Sequence, residues 1–87
     1  MRYEVYWADK KALKSFESVP SFLQDRMVDA IKSLAANPRP SDTKKLAGKL
    51  QGTWRIRVGD YRILYDVDDK AKKVVILYIG HRRQIYR

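Results

Sequence analysis

Two runs of period-two alternation meet at Gly59-Asp60, and that junction constrains the fold more than anything else in the chain. Trp54, Ile56 and Val58 alternate with Arg55 and Arg57; beyond the junction Tyr61, Ile63, Tyr65 and Val67 alternate with Arg62, Leu64 and Asp66. Alternation at period two puts one set of side chains on each face of a strand. A Gly-Asp pair between two such runs reads as a two-residue hairpin turn, with Gly supplying a positive φ. The turn fixes the register: Val58 opposite Tyr61, Arg57 opposite Arg62, Ile56 opposite Ile63 and Arg55 opposite Leu64. The apolar set then shares one face and three arginines share the other.

The remaining elements follow from similar signals. Tyr3 to Trp7 alternates as a first short strand. Asp9 can cap a helix running to about Ser18, with Ala12, Leu13 and Phe16 on one stripe, and Pro20 suits the first turn of a second helix. Leu23, Met27, Ala30, Ile31 and Leu34 recur at spacings of three and four until Asn37-Pro38 stops the pattern. Arg39 to Gly52 reads as an ordered basic loop. Val74 to Ile79 is apolar without alternation, which fits a central strand ending at Gly80. The expected architecture is α+β with order β-α-α-β-β-β: a four-stranded, mostly antiparallel sheet, two antiparallel helices on one face, and the arginine face open. All 87 residues fit one domain, which at this size buries only about 60–65% of the unfolded chain's surface.

Charge is unevenly placed. There are 7 basic against 6 acidic residues up to Thr43 and 12 against 4 beyond it, so nearly all of the net +9 lies in the second half. Such a localised basic face predicts a polyanionic partner. The absence of Cys rules out disulfide, thiol and thiolate-zinc chemistry and favours the reducing cytoplasm. No apolar run approaches the ~18 residues of a membrane span, so neither export nor membrane insertion is expected.

Guanidiniums directly opposed across neighbouring strands repel each other, and stability alone does not put them there. A phosphodiester between them would relieve the repulsion, because planar donor forks bind phosphate oxygens bidentately and stabilise charge building in a pentacoordinate transition state. The competing reading is that Asp60, Asp66 and Asp68 neutralise the arginines as surface pairs. Two-metal hydrolysis needs clustered carboxylates, which the second half lacks, and no metal or other cofactor is expected. Metal-free cleavage of RNA needs less, since the substrate's own 2′-hydroxyl can attack the adjacent phosphorus. His81 is the one side chain that ordinarily titrates near neutrality, and Tyr86 would serve in a cationic surround. Arginine is a poor base, so Arg55, Arg57 and Arg62 are read as binding groups. Tyr65 and Tyr78 are read as core.

Lys45-Leu46 with Gly48, WRIRVGDYRILYDVDD from Trp54 to Asp69, and IGHRRQIYR from Ile79 to Arg87 together resemble the RelE branch of the RelE/ParE toxin superfamily. The resemblance spans almost the whole chain. It implies a compact microbial-RNase-type fold and a toxin that enters the ribosomal A site and cuts mRNA, held inactive by a cognate RelB-like antitoxin. Direct DNA binding is not expected without that antitoxin. Carried over by position, Arg55, Arg57, Arg62, Arg82 and Tyr86 match the family's site, with His81 beside them as a further catalytic candidate. The implied roles are phosphate binding and charge stabilisation at Arg62, leaving-group stabilisation or proton donation near Arg82, and orientation or proton abstraction near Tyr86. Lys44, Lys45, Lys49, Arg83 and Arg87 are the candidate RNA contacts. The best-known RelE pattern has lysines where Arg55 and Arg57 stand, so either His81 or Tyr86 does more here or cutting is slower. The alternatives are a ParE-like inhibitor of DNA gyrase and a catalytically silent RNA-binding homologue.

Overall fold

The computed structural model describes residues 2–41, 43–45 and 52–85. The elements run β1 (Glu4–Trp7), α1 (Lys10–Glu17), α2 (Ser21–Ala36), β2 (Lys44–Lys45), β3 (Trp54–Val58), β4 (Tyr61–Asp68), β5 (Lys73–His81) and α3 (Arg82–Ile85). The strands form one sheet in the order β1-β5-β4-β3-β2. Pairing is antiparallel except between β1 and β5, which run parallel. The class is α+β, as expected, with five strands rather than four.

Local chemistry sets the helix boundaries. Asp9 caps α1, its carboxylate accepting the Ala12 N–H at 2.9 Å, which satisfies one of the donors a helix start leaves without an intrahelical partner. Pro20 precedes α2. Asn37 ends α2 in an extended conformation, φ −144° and ψ 98°, because the residue before Pro38 is pushed out of the helical region.

The buried stripe of α2, Leu23, Met27 and Leu34, packs with Val19 against Ile56, Val58, Ile63, Tyr65, Val74, Ile76 and Ile79 on a single sheet face. Full burial of side chains such as Met27, Leu34 and Ile63 stabilises the fold by about 1.5–3 kcal/mol each. The hydroxyl of buried Tyr65 donates to Pro38 O at 2.7 Å and lies 3.2 Å from Thr43 Oγ1. These bonds tie the chain leading into β2 to the sheet.

Three elements depart from the sequence reading. The stretch read as a basic loop contains β2, which pairs Lys44 with Arg55 and Lys45 with Trp54; Leu46, Gly48 and Leu50 of the same stretch lie outside the described residues. The last strand does not end at Gly80 but continues through His81. It then turns directly into α3, whose first N–H, from Arg82, donates to Asp60 O at 2.8 Å.

Candidate nucleic-acid site on the open sheet face

The hairpin has the register its turn requires, with Arg57 opposite Arg62, Arg55 opposite Leu64 and Gly59 at φ +59°. Ile56 and Ile63 belong to the core, so alternation places Arg55, Arg57 and Arg62 together on the face away from the helices. Lys44, paired with Arg55, joins that face. Lys45 falls on the other side of β2, where its ammonium lies 5.6 Å from the Trp54 ring centroid; the Arg39 guanidinium lies over the same ring at 5.2 Å. The two neighbouring lysines are therefore separated by the pleat, and Lys44 alone extends the arginine set.

Arg62 is the buried member, 5% exposed. Its Nη1 donates to Tyr61 O at 2.9 Å and Gly59 O at 3.2 Å, so the hairpin backbone fixes its own arginine. Burial, then repulsion by Arg57, Arg55 and Arg82, pushes its pKa down, with Asp60 acting weakly the other way. An incoming anion would offset the repulsion among these arginines and favour the charged form of Arg62. The carboxylates proposed to neutralise the arginines are mostly engaged elsewhere. Asp66 accepts from Thr53 Oγ1 at 3.3 Å and Asp68 from the Ala71 N–H at 3.0 Å, and Asp60 approaches Arg82 Nε only to 3.9 Å. Among the described residues no three His, Asp or Glu side chains are grouped to hold a metal ion.

His81 is not brought to the arginines. It pairs with Tyr61, whose ring is on the helix side, and the two rings pack edge-on with centroids 5.4 Å apart. Its Nδ1 accepts the Arg83 N–H at 3.2 Å. Arg82 and Arg83 open α3 and are exposed. Lys49, Tyr86 and Arg87 lie outside the described residues.

A family model described as the ParE toxin of type II toxin-antitoxin systems matches residues 7–86. The chain belongs to the RelE/ParE toxin superfamily. The fold of this RelE/ParE chain is similar to the RelBE2 toxin–antitoxin complex of Mycobacterium tuberculosis, with TM-score 0.82, 31% identity and coverage of 94% of this chain and 93% of that one. It is also similar to the archaeal RelE–RelB complex of Pyrococcus horikoshii, with TM-score 0.79, 33% identity and coverage of 94% and 97%. In sequence it is 50% identical to Toxin RelG of M. tuberculosis over 44 residues, 51% of each chain. The match to that strain's Toxin RelE covers 45% of its length, so the aligned part spans about half of these two relatives.

One residue that the sequence reading assigned to the core of this RelE/ParE chain lies on the arginine face instead. Tyr78 is 39% exposed and pairs with Leu64. A β-bulge leaves Leu77 without a partner on β4, since Leu64 pairs with Tyr78 and Tyr65 with Ile76. The signal available in sequence was Gly80, two positions on and therefore on the same face.

Proposed function

We propose that this RelE/ParE chain is an endoribonuclease toxin that cuts mRNA in the ribosomal A site, acts in the cytoplasm, and is held inactive by a RelB-like antitoxin. The observation that carries this reading is the seat of Arg62: buried, held by backbone carbonyls of its own turn, and surrounded by Arg55, Arg57 and Arg82. A preorganised cationic cluster of this kind stabilises negative charge without reorganising during the reaction. The solved relatives crystallised with RelB-type antitoxins support the partner.

In the reaction proposed, the 2′-hydroxyl oxygen of the RNA attacks the adjacent phosphorus. The O2′–P bond forms as the P–O5′ bond breaks, leaving a 2′,3′-cyclic phosphate and a 5′-hydroxyl. A base takes the 2′-hydroxyl proton and an acid supplies one to O5′. Arg55, Arg57 and Arg62 hold the non-bridging oxygens, and Arg82, at the mouth of the cluster, serves the leaving oxygen. Tyr86 keeps the proton-transfer role that the family resemblance gives it. His81 is set aside because its ring packs on Tyr61 behind the sheet.

The match to the ParE model favours a second reading, gyrase inhibition. Expressing the full chain with and without antitoxin, mapping new 5′ ends on translated mRNA and assaying DNA supercoiling in parallel separates the two. Cleavage that disappears in Arg62→Ala supports the ribonuclease; supercoiling inhibition that survives Arg62→Ala supports the gyrase poison.

A further inference from the structure

The open face carries an aromatic surface next to its cations. Lys44, Arg55, Leu64 and Tyr78 form one cross-strand row, and Arg57, Arg62 and Gly80 form the next. Tyr78 leans from the first row onto the second: a Cβ at Gly80 would lie 2.6 Å from Tyr78 Cε2 and 3.3 Å from Cδ2. The ring therefore lies over the glycine directly opposite Arg62, in a place no other residue type would leave open. Packed in this way, Tyr78 as a residue stays 39% exposed while its neighbours Arg62 and Leu64 are buried.

We infer that the Tyr78 ring is a stacking platform for one nucleobase of the RNA whose phosphate is held by Arg55, Arg57 and Arg62. This inference rests on the ribonuclease reading and adds to it a base subsite beside the phosphate subsite. Single-stranded nucleic acids are held by this combination: a cationic bank for the backbone and an aromatic face for a base. Base–aromatic stacking tolerates any base because each has a π-face, so the subsite ranks bases by stacking strength, purine over pyrimidine, rather than selecting one base.

The test uses the full chain and a short fluorescent RNA, 2′-O-methylated so that it cannot be cut, with affinities read by anisotropy. One abasic residue is walked through the oligonucleotide. Tyr78→Ala should weaken binding roughly five- to a hundredfold, and Tyr78→Phe should stay within about twofold of wild type. At one position, base removal should weaken the wild type by a similar factor and leave Tyr78→Ala unaffected, a coupling that a merely structural tyrosine would not show. If Arg57→Ala and Arg62→Ala weaken binding but Tyr78→Ala matches wild type, or no abasic position couples to Tyr78, the platform is overturned and the phosphate site stands. If neither arginine substitution weakens binding, the ribonuclease reading falls and takes the platform with it. The wild-type abasic walk requires no altered protein, so a poorly folding variant does not decide the outcome.

Discussion

Ser15 completes a hydrogen-bond ladder in place of a strand: its Oγ accepts the Ile79 N–H at 2.9 Å while donating to Ala12 O at 2.6 Å. β1 pairs with β5 only as far as Trp7 and Ile76, so past that point α1 supplies the acceptor. Both bonds are buried. Ser15→Ala strands the Ile79 N–H away from water, and urea unfolding should show a loss of about 1–3 kcal/mol.

Asp69 is held well below the usual carboxylate range, at about 2, by hydrogen bonds from Arg39 and then from Tyr3. The guanidinium engages both carboxylate oxygens, at 2.7 and 3.2 Å, and the phenol donates at 2.7 Å. A depressed carboxylate contributes stability above its unfolded pKa and loses it as pH falls toward the folded one. That contribution is therefore whole above about pH 4 and drains away down to about pH 2. Carbon-detected NMR titration should place the Asp69 midpoint near 2 in the wild type and closer to 3.8, its ordinary value, in Arg39→Ala. Because the pair is exposed, added salt should narrow the difference.

Arg57 faces Arg62 across the hairpin and is exposed. Arg57→Ala removes a like-charge neighbour, so at low salt thermal unfolding should show it equal to or more stable than wild type by about 0.2–1 kcal/mol. The gain should vanish at high salt. RNA affinity should move the opposite way, with a shallower dependence on salt. An Arg57→Ala protein that is less stable at low salt would mean the cluster is already compensated.

Gly59 stands at φ +59°, and a Cβ there would meet nothing closer than Leu23 Cδ2 at 3.8 Å. Space is available and the backbone is the obstacle. Gly59→Ala should cost about 1–2 kcal/mol in unfolding experiments, while Gly59→Asn should cost less because Asn tolerates this region.

The hairpin register, the Asp9 cap and the Asn37-Pro38 stop were legible in the sequence because each rests on a local rule of spacing or backbone sterics. β2 was not. Its two lysines have no pattern of their own, and their strand exists because Arg55 and Trp54 offer them an edge. α3, four residues long, is likewise set from outside, by Asp60 O receiving the Arg82 N–H. Around the site, the arginine set followed from alternation alone, whereas Tyr78 was hidden by the bulge at Leu77, which breaks the phase of an unbroken apolar run. His81 was misplaced for the opposite reason: with the strand continuing through Gly80, ordinary alternation turns it to the other face.

The parallel pairing of β1 with β5 joins Glu4 to Lys73 and Trp7 to Ile76, which puts the first of the described strands beside the last. During synthesis β1 stays without this partner until residues 73–76 have emerged. The cationic cluster has the same dependence, since Arg82 is among its members. A chain that has grown only through β4 therefore lacks both the β5 side of the sheet and Arg82, so the arginine face is completed late.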